Sequence, residues 1–358
     1  MLTRALLSVW LGVLVTIAGS TTVPVAAVRA ADNQAAPNQA AENETAENET
    51  QAQRQQKQPL NNAPTWRDVR SGESHTTQVR GRETGVLIQA GGETWRQIRN
   101  GPITLVFGTL LILVPILIWS FYRYSGPMKL RGKPTGRMIE RFNKWERIVH
   151  WFTAVSFVVL AVTGILMLFG KHFLLPVIGY SAFSWFGAFS KNLHNFVGPL
   201  FIFCVACIFV TFLRDNFFRR IDMQWLLKMP QVLTGKAHVP SGRFNAAEKG
   251  WFWGGVALLG LIVSASGLVL DFPNFDQTRQ TMQIANIVHG VGALLFVLAS
   301  FGHIYMGTIG TEGAYQAMKT GMVDETWARE HHELWYQEVK AGKRGGGDAQ
   351  RAELLGGS

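Results

Sequence analysis

The chain has 358 residues, of which 47% are hydrophobic and only 16% carry a charge. This balance excludes a string of ordinary soluble domains, in which about a quarter of the residues are charged. The net charge of +10 invites a nucleic-acid interpretation, but the Lys and Arg residues fall mainly between long apolar stretches, where membrane topology accounts for them. Nucleic acid is therefore set aside as a partner.

The first hundred residues predict three exported segments. Residues 1–30 combine Arg4, an apolar stretch and small residues near the end, a pattern typical of a signal peptide, with an uncleaved anchor as the alternative. Residues 31–65 are mostly Ala, Asn, Glu and Gln, so we predict a disordered periplasmic segment. Residues 66–101 hold a strand-like run at 86–89 but too little apolar content for a core. We predict a periplasmic extension that folds against a partner.

Five apolar runs follow, and each has the roughly 18–25 residues that cross a bilayer as a helix. They cover residues 103–122, 148–169, 196–213, 251–270 and 284–309. We predict an all-α membrane protein in which residues 123–310 form a four-helix bundle. The run within 102–122 is an extra N-terminal transmembrane helix.

The distribution of basic residues predicts the topology. The connections at 123–147 and 214–249 are rich in Lys and Arg, whereas those at 171–189 and 271–282 have one basic residue each. Because basic loops stay in the cytoplasm, we predict a multi-pass protein of the bacterial inner membrane with a periplasmic N-terminal segment. The tail, residues 311–358, is predicted to be cytoplasmic.

Four histidines carry the chemistry. His289 and His303 are fourteen residues apart on one span, which separates them by about 21 Å and only about 40° of rotation. By the predicted topology, His150 shares the cytoplasmic depth of His303, and His194 shares the periplasmic depth of His289. Neutral imidazoles on facing helices suit iron, so we predict two b-type haems held by these two pairs. A haem-free transporter or assembly factor, with histidines that pack or relay protons, is the alternative from another class.

Six short motifs surround these histidines: R-I-V-H-W at 147–151, L-H-N-F-V-G at 193–198, R-F-N-A-A-E-K at 243–249, V-H-G at 288–290, H-I-Y-M at 303–306, and residues 327–336. Together they resemble the gamma subunit, or cytochrome b556 subunit, of membrane-bound respiratory formate dehydrogenase. The resemblance covers about residues 141–339. The exported segment and the extra span depart from the simpler, four-span form of that family.

The resemblance implies more than the spacing does. It implies that this chain is the electron-transfer, quinone-reducing subunit of a formate dehydrogenase complex and does not itself oxidise formate. It implies as partners an iron-sulfur beta subunit and a catalytic alpha subunit, with menaquinone or ubiquinone as electron acceptor. A quinone site at Asn245 and His303 is implied near the cytoplasmic haem, although Asn245 taken alone is more typical of a turn. The rival within the same class is the cytochrome b subunit of a membrane nickel-iron hydrogenase or of another periplasmic oxidoreductase.

Overall fold

The structure, a computed structural model, describes residues 63–71, 73, 75–77, 80–81, 84–88, 91–234 and 237–342. The predicted signal peptide and the predicted disordered segment up to residue 62 lie outside the described residues, as does the tail after residue 342. The chain divides after Gly92 into two compact units.

The described part of the first unit is small. Helix α1 spans Ala63–Ser71, so it begins within the last residues of the segment predicted to be disordered. Strands β1 (His75–Thr76) and β2 (Leu87–Ile88) form an antiparallel pair. The strand therefore falls on the run whose apolar, β-branched composition predicted it.

Five helices are long and apolar enough to cross a membrane, as predicted, and they belong to the second unit except for the first two residues of α2. Their bounds are Gly91–Ser125 (α2), Lys144–Phe173 (α3), Leu175–Asp215 (α4), Ala246–Asp271 (α7) and Arg279–Gly307 (α8). Helix α4 starts well before the predicted span because a backbone kink at Gly179, with φ of 74°, lets a helical extension continue at its N-terminal end. The protein is a multi-pass helical membrane protein.

Local sequence signals explain where two of these helices begin. Asn143 caps α3 by accepting from the backbone N–H of Glu146, and the Glu146 carboxylate accepts in return from the backbone N–H of Asn143. Asn245 and Glu248 form the same reciprocal capping box at the start of α7. Because each box satisfies two backbone donors that a helix start leaves unpaired, it fixes the first turn of the helix that follows.

The four helices α3, α4, α7 and α8 pack around one apolar core. Its buried aromatic members include Phe201, Phe212, Phe252 and Phe296. Helix α2 joins the outside of this bundle through a second cluster, in which its Ile103 and Phe107 contact Phe169 and Leu294. The faces turned away from the core are apolar as well, with Phe196 85% exposed and Phe203 67% exposed. Such faces are stable against lipid, not against water.

The connections at one end of the bundle are folded together with the tail. Two short helices, α5 (Arg220–Leu227) and α6 (Met229–Leu233), follow α4. Strand β3 (Met138–Glu140) pairs antiparallel with β4 (Met322–Asp324), which lies between α9 (Ala314–Thr320) and α10 (Glu325–His331). Helix α11 (Glu333–Lys340) completes the tail and buries Trp335 and Tyr336. The first part of the predicted tail is thus a folded cap.

Candidate functional site

The structure brings the four histidines together as two facing pairs. The ring centres of His150 on α3 and His303 on α8 are 6.3 Å apart. The ring centres of His194 on α4 and His289 on α8 are 6.1 Å apart. Since His289 and His303 are fourteen residues apart on one helix, the two pairs lie about 21 Å apart along the bundle. These are the pairings that the depth argument predicted, and their role as ligands stays a prediction.

The separation within each pair fits two imidazoles on opposite sides of one metal ion. Bonds from imidazole nitrogen to metal are about 2.0–2.1 Å long. A ring nitrogen lies about 1.1 Å from the centre of a five-membered ring whose bonds are about 1.33 Å. Two ring centres across a shared metal ion are then about 6.2–6.4 Å apart, close to the observed 6.1 and 6.3 Å.

Hydrogen bonds orient His194 so that its Nε2 has a free lone pair. The hydroxyl of Thr163 donates its single proton to the carbonyl oxygen of Val159 at 2.8 Å. Its oxygen lies 2.8 Å from Nδ1 of His194. The backbone carbonyl oxygen of Leu160, which can only accept, is a further partner of this ring, so we assign the proton to Nδ1. With the proton on Nδ1, the other nitrogen is the unprotonated one that binds metals.

His289 reaches the same state by a different contact. Its Nδ1 lies 3.0 Å from the carbonyl oxygen of Val263, which can only accept, so Nδ1 carries the proton. The hydroxyl oxygen of Ser266 lies 3.2 Å from the same nitrogen. Both rings of this pair thus present an unprotonated Nε2, and within the described part of the chain neither Nε2 makes a hydrogen bond.

Two glycines make room for these rings. A Cβ atom at Gly267 would stand 3.2 Å from Cε1 of His289, which is a tight contact. A Cβ atom at Gly164 would stand 3.5 Å from Cε1 of His194, at ordinary contact distance. Gly164, fourteen residues after His150 on α3, thus lies at the level of this pair. Each imidazole therefore packs directly against the backbone of a neighbouring helix.

The pair formed by His150 and His303 has different surroundings. Nδ1 of His150 is buried and has no hydrogen-bond partner among the described residues. The ring of His303 is stacked on the indole of Trp251, with centres 4.6 Å apart and planes 9° apart. Trp251 opens a π-helical stretch, Trp251–Leu259. Gly255 leaves room for the indole, because a Cβ atom there would stand 2.7 Å from Cε3 of Trp251.

A buried ion cluster anchors the connection before α7 to the start of α3. Arg243 donates to Glu146 at 2.8 Å and to Asp215 at 2.7 Å. Arg141 and Arg243 each donate to the other's backbone carbonyl oxygen, at 3.1 and 2.6 Å. Burial opposes the charge of Arg243, but the two carboxylates outweigh it and raise its pKa. Burial lowers the pKa of Arg141, partly offset by the carboxylate of Glu248 at 3.0 Å.

Asn245, the residue named for a quinone site, uses its side-chain oxygen to cap α7. That oxygen accepts from the backbone N–H groups of Ala247 and Glu248, both at 3.0 Å. The turn-forming role expected from sequence is therefore present. The amide nitrogen of Asn245 takes no part in the cap, and a quinone role for it stays a prediction.

Sequence reasoning missed several residues around the histidines: Thr163, Val263, Ser266, Gly267, Trp251 and Gly255. Polar Thr163 and Ser266 stand inside apolar spans, and that was the available signal. Their contacts with the imidazoles depend on how each helix is rotated, which the sequence pattern does not show. His172 lies exposed at the end of α3.

A multi-pass helical bundle that holds two pairs of facing imidazoles at two depths defines a protein of the membrane cytochrome b class. Comparison with known families agrees. Residues 141–321, half of the chain, match the prokaryotic cytochrome b561 family. The chain belongs to this family and is a membrane cytochrome b electron-transfer subunit, and the family implies haem b as its cofactor.

Individual relatives narrow the resemblance. The formate dehydrogenase cytochrome b556(fdo) subunit of Escherichia coli (strain K12) is 28% identical over 205 residues, covering 56% of this chain and 93% of the relative. The nitrate-inducible formate dehydrogenase cytochrome b556(Fdn) subunit of the same strain is 27% identical over 210 residues, covering 57% and 93%. The formate dehydrogenase cytochrome b556 subunit of Haemophilus influenzae is 24% identical over 196 residues, covering 54% and 79%. The resemblance to the formate dehydrogenase cytochrome b556 subunit is thus confirmed.

Proposed function

We propose that this chain is the membrane-anchoring, two-haem subunit of a formate dehydrogenase, and that it passes electrons from a periplasmic iron-sulfur subunit to quinone on the cytoplasmic side. The proposal rests on the two facing pairs of imidazoles, because the rings of each pair are spaced for one metal ion between them. The choice of formate as the substrate of the complex rests on the names of the relatives. The chain itself oxidises no formate in this proposal, because a catalytic partner subunit does so.

The four histidines would bind haem at two depths of the bundle. His194 and His289 would hold one haem, and His150 and His303 would hold the other. When bound, two b-type haems supply one-electron carriers at two levels of the membrane, which lets the subunit connect its two faces. The protein's own contribution is orientation: Thr163 contacts the ring of His194, Val263 contacts that of His289, and Trp251 stacks on that of His303.

The direction of transfer rests on the distribution of charge. Both connections at the His150 end of the bundle are rich in Lys and Arg, and basic connections stay in the cytoplasm. His150 and His303 would then lie near the cytoplasm, and His194 and His289 near the periplasm. Reduction of quinone at the cytoplasmic end would take up protons there, so electrons that enter from the periplasm would help to charge the membrane.

The proposed quinone contact has a sharp test. Asn245→Asp keeps an oxygen that caps α7 but replaces the amide donor with a carboxylate. We expect this variant to keep its haem spectrum and to lose most of its reaction with menaquinol or ubiquinol analogues. Asn245→Ala should in addition destabilise the start of α7 by about 0.5–2 kcal/mol. Full quinol activity in Asn245→Asp would exclude the amide as a quinone ligand.

The complex is tested by purifying the tagged full chain from its native membranes. We expect b-type absorption in the reduced-minus-oxidised spectrum and a co-purifying iron-sulfur protein. We also expect a co-purifying molybdenum or tungsten enzyme. When formate is added, this enzyme should reduce the b-type haem iron. A nickel-iron partner that responds to hydrogen would instead assign the chain to a hydrogenase. Absence of any b-type signal would refute the whole proposal and favour a haem-free transporter or assembly factor.

A further inference from the structure

Helix α5 exposes an apolar surface at the end of the bundle that carries His150. Met223 is 60% exposed and Leu226 is 40% exposed, and the preceding Phe218 is 53% exposed. The opposite face of the same helix is buried through Asp222 and Trp225. Apolar area left in water costs about 25 cal/mol per Å², so the exposed face is adapted to an apolar surrounding.

Contacts with α7 place α5 at the level where the bundle enters the membrane. The carboxylate of Asp222 is paired with Lys249 at 2.7 Å, and both side chains are almost completely buried. Lys249 lies in the first turn of the membrane-spanning helix α7. One turn further into that helix, the indole N–H of Trp253 donates to the backbone oxygen of Asn216 at 2.9 Å. The segment from Asn216 to Asp222 therefore runs beside the entry of α7 into the membrane.

Two arginines stand beside the apolar face. Arg219 and Arg220 line a groove of about 520 Å³ together with Phe218, Met223 and Leu226. The side chain of Arg219 is 55% exposed, and its Nη1 lies 3.8 Å from the carboxylate of Glu338. Arg220 is exposed and forms no ion pair within the described ranges. The groove thus combines two accessible guanidinium groups with an apolar floor.

We propose that this groove binds an anionic phospholipid of the leaflet at this end of the bundle. The phosphate would lie between Arg219 and Arg220, since guanidinium groups bind phosphate oxygens with paired, charge-assisted hydrogen bonds. The acyl chains would run over Phe218, Met223 and Leu226. A free phosphate ion would leave these apolar side chains in water. A phospholipid would cover both the arginines, with its headgroup, and the apolar side chains, with its acyl chains, because the groove lies at the depth where headgroups meet acyl chains.

The proposal is tested on the delipidated full chain in detergent, by native mass spectrometry with added phosphatidylglycerol or phosphatidylcholine. The variant Arg219→Gln with Arg220→Gln removes both charges from the groove. A matched control, Arg123→Gln with Lys129→Gln, removes two exposed basic side chains elsewhere at the same end of the bundle. Each basic side chain contributes roughly fivefold to binding an anionic membrane surface. We therefore expect the groove variant to bind phosphatidylglycerol about 25-fold more weakly, with little change for the control or for phosphatidylcholine.

A second measurement leaves the protein unaltered. A photoactivatable phosphatidylglycerol should label residues between 217 and 227, and excess phosphatidylglycerol should compete better than phosphatidylcholine or inorganic phosphate. The proposal is overturned if wild-type protein does not prefer the anionic lipid, if both double variants lose it equally, or if inorganic phosphate competes as well. It is also overturned if the groove is the contact of a protein dimer that phosphatidylglycerol does not dissociate. Haem content is read separately, so these outcomes do not depend on the function proposed above.

Discussion

Replacing Thr163 by valine tests how the protein orients its candidate haem ligands. Valine keeps the β-branched shape, but it removes the oxygen that lies 2.8 Å from Nδ1 of His194. The matched change is Ser266→Ala, which removes an oxygen 3.2 Å from Nδ1 of His289. His289 keeps the carbonyl oxygen of Val263 at 3.0 Å. We therefore expect the two substitutions to differ in effect, although each removes one hydroxyl.

The size of the difference follows from what each ring retains. A buried N–H left without a partner costs about 1–3 kcal/mol. The backbone oxygen of Leu160 remains near His194 as a weaker acceptor, so we take the lower part of this range, about 1.4 kcal/mol, which is tenfold in affinity. This agrees with the roughly 10- to 100-fold losses seen when partners of metal-binding histidines are removed. For Ser266→Ala we expect a loss below about threefold, because the stronger acceptor stays.

The assay follows transfer of haem from each purified variant in detergent to an excess of apomyoglobin. Thr163→Val should release one of its two haems about ten times faster than wild type, while the other haem and Ser266→Ala stay close to wild type. Equal release from the two variants would refute the assigned orientation of His194. Faster release of both haems from Thr163→Val would show a general loss of packing instead.

Further predictions concern the other pair and the folded tail. Gly255→Ala should displace Trp251 from the ring of His303 and change the potential and spectrum of one haem only. The control Gly254→Ala should change neither, because its Cβ atom would meet no neighbour within 4 Å. Equal effects of the two variants would refute a role of the Trp251 stack. Burial, followed by the charge of Arg141, lowers the pKa of His331 to about 4, so the unfolded tail binds more protons than the folded tail between pH about 6.5 and about 4. The tail should therefore lose stability as the pH falls through this window, seen as faster proteolysis. His331→Gln should reduce that dependence but not abolish it, because burial also lowers the pKa of the neighbouring His332.

Two features of the fold were predictable because they depend on spacing and composition alone. Apolar runs long enough to cross a bilayer must form helices, since no water is present to satisfy the backbone. The fourteen-residue interval between His289 and His303 places both on one face of a helix, whatever the rest of the chain does. His150 and His194 then follow from loop charge, and the structure places each ring opposite its predicted partner.

Other features depend on how helices rotate and bend against each other. The stack of Trp251 on His303 involves the π-helical stretch and a glycine four residues after the tryptophan. The hydrophobic periodicity of the sequence predicts neither feature. Basic residues before α3 were explained by topology, yet Arg141 is buried. The guanidinium groups of Arg141 and Arg243 each donate to the other residue's backbone carbonyl oxygen. The tail was predicted only as a cytoplasmic segment. Its antiparallel pairing, Ile139 with Val323, joins residues far apart in the chain, which short-range patterns do not predict.

The central claim is that four histidines bind two haems in two defined pairs, and counting haems in single variants tests it most directly. Wild type and the control His172→Ala should each carry two b-type haems per chain. Alanine at His194 or at His289 should leave one haem, with the same midpoint potential in both variants. Alanine at His150 or at His303 should leave the other haem, with a different potential common to those two. A single haem in wild type, or different remaining haems in the His194 and His289 variants, would contradict the pairing.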